Sequence, residues 1–224
     1  MLARPATIAL INPNSDHRQT RAMAALARRE LAGRGRVLGL TNTTAPPLLT
    51  TTEDLRLAEA GVLALGLAAA ARPGVTALVV AAFGDPGLAA LRARTRRAVF
   101  GIGEEAFHQA ACGGRPFSIV TITPAADLLA GFGDKASALG YGRLYQGVRV
   151  TPGEPQALLD CPHRLDQALY SAIAAAVVED GAGAVIMGGG PLSAAGQRLQ
   201  SSFEVPLVVP VQAAMAAALR ASRV

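Results

Sequence analysis

The chain has 224 residues, a formal charge of +5 and 51% hydrophobic content, enough to bury a core in one large domain or two small lobes and too apolar for disorder. The charge comes from dispersed arginines, with Lys135 the only lysine, and three tyrosines and six phenylalanines offer little stacking surface, so nucleic acid is not an expected partner. No apolar run is long enough to span a bilayer, Met1 to Pro5 lead straight into a strand without a secretory signal, and two cysteines form neither a disulfide framework nor a metal-ligand spacing, which together imply a cytoplasmic protein with no bound metal and no membrane partner.

Ala6 to Ile11 reads as a first strand, ended by Asn12-Pro13-Asn14-Ser15, whose side chains can cap a helix or bind a carboxylate. A helix of roughly fifteen residues follows, with Met23, Leu26 and Leu31 at helical spacing. Val37 to Leu40 is a second strand, and a hydroxyl-rich loop through Thr41-Asn42-Thr43-Thr44 and Thr50-Thr51-Thr52 leads to a helix over 53–71 that Thr52 would cap. The valine-rich run from Ala77 to Ala82 is too short for a helix and stops at Phe83-Gly84-Asp85-Pro86-Gly87, a buried strand emptying into a tight turn. Asp85 as N-cap and Pro86 as first residue would start the next helix, which carries Leu88 and Leu91.

Ala98 to Phe100 is a short strand, followed by a turn at Gly101-Ile102-Gly103-Glu104 and a helix with His108 and Cys112. Pro116 to Thr123 is a strand that places Thr121 and Thr123 on one face at its end. A helix over 127–139, a strand at Gly147 to Val150 and a long helix over 162–180 come next. Ala182 to Met187 is a second buried strand, ending in Gly188-Gly189-Gly190-Pro191-Leu192. A last strand at Val205 to Val208 and an alanine-rich helix over 211–220 close the chain. Strand and helix alternate throughout, which calls for parallel sheets flanked by helices. The strand-then-turn segments at Asn12-Pro13-Asn14 and Thr121-Ile122-Thr123-Pro124, and again at Ala82 to Pro86 and Gly188 to Pro191, echo one another. The fold class expected is therefore α/β with two similar lobes, residues 1–100 with 206–224 and residues 101–205, and a ligand cleft between them lined by these loops.

Taken together, Ile11-Asn12-Pro13-Asn14-Ser15, Ala82-Phe83-Gly84-Asp85-Pro86-Gly87-Leu88, Gly101-Ile102-Gly103-Glu104 and Gly188-Gly189-Gly190-Pro191-Leu192 resemble the aspartate/glutamate/hydantoin racemase superfamily, most of all its hydantoin and allantoin racemases. The resemblance runs from Ile8 to about Val211. It implies two α/β lobes, a small carboxylate, hydantoin or ureide as substrate, no metal or pyridoxal cofactor, and self-association into a homo-oligomer. It also implies proton transfer at a carbon beside a carbonyl by two cysteines, one per lobe, through an enolate held by backbone amides. Here the two thiol positions fall on Ala82 and Gly189, while Cys112 and Cys161 lie elsewhere. Two-thiol racemisation is therefore not expected.

The residues left to bind substrate are Asn14, Ser15, Ala82, Phe83, Gly84, Thr121, Gly189, Gly190 and Pro191. Asp85 and Glu104 are the candidate acid/base groups, although Asp85 also reads as a helix cap and Glu104 as a supporting hydrogen-bond partner. His108 and His163 are further titratable groups, and Tyr141 with Tyr145 could form a lid. The competing function is a paralogue that binds the same ligand without turning it over.

Overall fold

The computed structural model describes residues 6–222; Met1 to Pro5 and the last two positions, and with them the expected direct entry into the first strand, lie outside the described residues. In chain order the elements are β1 (Thr7–Asn12), α1 (His17–Leu31), β2 (Arg36–Thr41), α2 (Thr52–Ala70), β3 (Val75–Val80), α3 (Leu88–Arg94), β4 (Ala98–Gly101) and α4 (Ile102–Ala110). They continue with β5 (Phe117–Thr121), α5 (Ala126–Ala138), β6 (Tyr145–Val150), α6 (Pro155–Leu159), α7 (Pro162–Val178), β7 (Ala184–Met187), α8 (Ser193–Leu199), β8 (Leu207–Val208) and α9 (Pro210–Ala221). Two four-stranded sheets result, ordered β2-β1-β3-β4 and β6-β5-β7-β8, and every pairing is parallel. The chain divides into two compact units whose described parts are residues 6–105 with 211–222, and residues 106–210.

In the first unit the period-two alternation of β1 sends Ile8 and Leu10 to one face and Ala9 and Ile11 to the other. Ile8, Leu10 and Val79 pack with Met23 and Leu26 of α1 and Met215 and Leu219 of α9. Ile11, Leu78 and Val80 pack with Val62 of α2 and Leu91 of α3. Both faces are covered, as an all-parallel sheet requires, and each fully buried leucine or isoleucine contributes roughly 1.5–3 kcal/mol. In the second unit Val120, Val185 and Met187 pack against Leu165, Leu169 and Ile173 of α7 and Leu199 of α8. Phe107 and Phe117 meet edge to face at 5.6 Å.

Local signals set most helix starts. Asp16 caps α1 by accepting from the amides of Arg18 at 2.7 Å and Gln19 at 3.4 Å. The cap of α2 is Thr51 and not Thr52: its hydroxyl accepts from the Asp54 amide at 3.1 Å while Asp54 Oδ2 accepts from the Thr51 amide at 3.0 Å, a reciprocal box. The expected start of α3 is also corrected. Its cap is Gly87, at φ 71°, so Asp85 and Pro86 belong to the turn before it. No turn separates β4 from α4, since the strand ends at Gly101 and the helix begins at Ile102.

The expected tyrosine lid is not formed. Tyr145 opens β6, packs against Phe117 with ring centroids 5.8 Å apart, and is pushed up to about 12 by burial. Tyr141 instead hydrogen-bonds His108 Nδ1 at 2.8 Å. No helix among the described residues is long and apolar enough to cross a membrane.

Candidate functional site

In the first unit the carboxyl ends of β1, β2 and β3 carry a buried polar network. Asn12 Nδ2 donates to Asn14 Oδ1 at 2.6 Å and to Thr20 Oγ1 at 2.9 Å, and Thr20 shares a 2.7 Å hydrogen bond with Thr41. Asn14 Oδ1 also accepts from the Asp16 amide at 3.0 Å, and its own Nδ2 donates to Gln19 at 3.3 Å. Asn14 thus shapes the loop that starts α1. Ser15 beside it is half-buried, with its amide donating to Pro46 O at 3.1 Å. Asn42, one residue past β2, donates from Nδ2 to Pro13 O and Ala58 O at 3.0 and 3.2 Å and accepts twice from Thr44.

The turn after β3 is tight. Ala81 donates its amide to Ile11 O at 2.8 Å, Ala82 is half-buried, Phe83 is buried, and the Asp85 amide closes on Ala82 O at 2.9 Å. Asp85 has φ 53°, a left-handed conformation that aspartate tolerates better than most side chains. That strain is offset by what its carboxylate reaches: Oδ1 accepts from the Gly103 amide at 2.9 Å and Oδ2 from the Glu104 amide at 2.7 Å. Asp85 is therefore the cap of α4, a helix distant in sequence, and its negative charge faces that helix's positive end. Gly101 is glycine for the same reason, because a Cβ there would collide with the Asp85 carboxylate.

Glu104 is held just as firmly. Its two oxygens accept from Arg92 Nη1 and Nη2 at 2.9 and 2.7 Å, while Arg92 Nε donates to Val99 O at 2.9 Å. The Glu104 hydrogen bonds hold the Arg92 guanidinium above its ordinary range. Glu104, Glu105 and His108 lie along one stretch of α4 with potential ligand atoms within 4.8 Å of one another, but the Glu104 oxygens already sit in the Arg92 fork. His163 is exposed in the first turn of α7.

The second unit repeats the layout. Gly188 donates its amide to Val120 O at 2.7 Å, as Ala81 does to Ile11 O; Thr151 donates to Thr121 O at 2.9 Å, as Asn42 does to Asn12 O at 2.9 Å. By this register Ala82 and Gly189 hold the same place, the second residue past the third strand of each sheet, and both are half-buried. Thr121 is buried, donates from Oγ1 to Gly188 O at 3.0 Å and accepts from the Thr123 amide at 3.3 Å. Gly188 must be glycine, because a Cβ would lie 2.7 Å from Ile119 Cγ2. At Gly189 the space is ordinary, with the nearest atoms, of Leu192 and Pro191, at 3.8 Å. Gly190 and Pro191 open a single 3₁₀ turn that runs into α8.

The amides of Gly84 and Gly190, one in each turn, meet no acceptor among the described residues. Cys112 is exposed in a 3₁₀ turn after α4, and Cys161 is half-buried at the start of α7. Sequence reasoning missed Thr151 and Ser193 as polar groups of this edge: the Pro152-Gly153 pair right after Thr151 is a turn signal that marks the strand end and could have found it, whereas Ser193 lay inside an unrecognised short helix.

A parallel α/β unit built twice, each copy ending its third strand in a glycine- and proline-bearing turn, defines a class of small-molecule proteins with ligand-type turns at the strand ends. The chain belongs to the Asp/Glu/hydantoin racemase family, whose model matches residues 8–218. Among solved structures it is similar to the allantoin racemase from Klebsiella pneumoniae, at 30% identity and TM-score 0.88 over 95% of this chain and 86% of that one. In fold it is also similar to the allantoin racemase from Pseudomonas fluorescens, at 22% identity and TM-score 0.88 over 97% of this chain and 91% of that one. The glutamate racemase from Thermus thermophilus shares the fold more loosely, at 21% identity and TM-score 0.63 over 98% of this chain and 81% of that one. No curated protein sequence matches the chain.

Proposed function

We propose that the chain is a cofactor-independent enzyme that binds a small hydantoin, ureide or carboxylate and takes it through an enolate-like species without a thiol base. The observation that supports this reading is the pair of equivalent turns, with alanine at 82 and glycine at 189 in the places where the family resemblance expects the two thiols. Removing a proton beside a carbonyl builds charge on its oxygen, and a turn amide such as that of Gly84 in the first unit, or that of Gly190 in the second, is suited to receive that charge. One such donor is worth on the order of 3 kcal/mol, about a hundredfold in rate. Solvent base then removes and returns the proton, because Asp85 and Glu104 are bound into the fold by α4 amides and by Arg92.

That same engagement of both carboxylates supports a second reading, a binding paralogue without turnover. Incubation in deuterium oxide with allantoin, hydantoins, aspartate and glutamate separates the two. Deuterium entering the carbon-bound position of one of them faster than in protein-free buffer supports the enzyme. Thermal stabilisation by a ligand that shows no added exchange supports the binder. A chain that neither binds nor exchanges any of them contradicts both.

A further inference from the structure

The outward face of α2 lacks the charge that a solvated helix carries. From Ala60 to Ala71 no side chain is charged or polar. The helix buries Ala58, Val62, Gly66 and Ala69 within the first unit, while Leu57, Ala60, Ala64, Ala68 and Ala71 are exposed along the opposite side at spacings of three and four. Leu57, the one large side chain of this row, is 53% exposed. The neighbouring helix α1 shows the contrast, since Arg18, Arg21, Arg28 and Arg29 are among its exposed positions. A helix that is apolar on every side belongs under cover.

We propose that this face pairs with the same face of a second copy of the chain, the two α2 helices running antiparallel about a twofold axis near Ala64. Charge selects the partner. At the amino end of α2, Glu53 and Arg56 cancel in an ion pair at 2.6 Å, which leaves Asp54 and the exposed Glu59. At the carboxyl end Arg72 follows the helix, and Arg97 donates from Nε to Ala70 O at 3.4 Å; both are exposed. One end of the apolar strip is therefore negative and the other positive. A twofold axis across the strip sets each negative end against a positive one, whereas parallel pairing would oppose like ends. The strip is complementary to itself.

Shape agrees with charge. With the axis at Ala64, Ala60 of one copy meets Ala68 of the other, and Leu57 lies over Ala71, so the bulkiest exposed side chain of the row falls on a small one. Alanines at the crossing let two helices approach to the short end of the usual range of about 8–10 Å between axes. The strip is about 28 Å long and about 10 Å wide. That is the core of a small interface, so the pair is expected to dissociate in the micromolar range.

Sedimentation velocity of the full chain over about a hundredfold concentration range is the test. The wild type gains mass as concentration rises. Ala64→Glu, which places two like charges at the axis, weakens the association by about tenfold or more, with unchanged helical circular dichroism. Ala25→Glu, on the exposed side of α1, leaves it as in the wild type. In a Cys112→Ser, Cys161→Ser background, a mixture of Ala60→Cys and Ala68→Cys chains cross-links under mild oxidation and neither chain cross-links to itself, because like positions stand about 12 Å apart along the helices. A wild type that stays monomeric throughout overturns the proposal, as does association that Ala64→Glu leaves intact or that Ala25→Glu weakens equally. Self-cross-linking of Ala60→Cys, or a mixture that yields no cross-link, overturns the antiparallel arrangement.

Discussion

Ala82 and Gly189 are the residues on which the proposed chemistry turns. Both are half-buried at equivalent places, and Gly189 has ordinary contact distances around its missing Cβ at an extended φ of 162°, so a larger side chain fits there. Replacing both, as Ala82→Cys with Gly189→Cys, should raise solvent exchange on allantoin or hydantoin by about a hundredfold or more, the usual contribution of a positioned acid/base pair. Absence of any gain in a folded double variant would show that the two turns do not present those positions to a substrate. Asp85 makes the opposite case, a residue that reads as catalytic and is committed to architecture. With two amide hydrogen bonds to a charged, buried acceptor, Asp85→Ala should cost about 2–3 kcal/mol in a urea titration. Wild-type stability combined with lost exchange would instead make Asp85 the base.

Among the elements, α2 gives a pH-dependent prediction. The Thr50 amide, followed by the Thr51 and Thr50 hydroxyls and the Thr51 amide, holds the Asp54 carboxyl below its ordinary 3.8. A lowered carboxyl contributes stability that is full above the unfolded value and disappears as pH falls through the folded one. The melting-temperature gap between the wild type and Asp54→Asn should therefore be steady at neutral pH and close below 3.8; a gap that persists in stronger acid would place the effect elsewhere. The strands and long helices were legible in the sequence because β1, β3, β5 and β7 are apolar runs bounded by turn residues, and α1 carries a clear apolar stripe. Caps were less so. Thr50, Thr51 and Thr52 offer three candidates in a row, and only the reciprocal bond with Asp54 selects Thr51. The true partner of Asp85 is eighteen residues away, a distance no local rule covers.

For the whole molecule, the sequence revealed a duplicated α/β plan and a family, and the structure adds the register that equates Ala81 with Gly188 and Asn42 with Thr151. What the chain alone could not disclose was the state of its polar groups. Asn14, Asp85, Glu104 and Thr121 all look available in one dimension and are bonded within their own units in three, while Thr151 looks ordinary and is left unsatisfied. The central claim is that proton transfer here needs no protein side chain as base. Its most direct test is the rate of deuterium uptake into allantoin as a function of pH, measured for the wild type and for Cys112→Ser with Cys161→Ser. The account predicts that both proteins accelerate uptake alike and that the rate climbs steadily with hydroxide. A plateau or bell in the profile of either protein would contradict it, the cysteines being the base if it vanishes when they are replaced and another side chain if it persists.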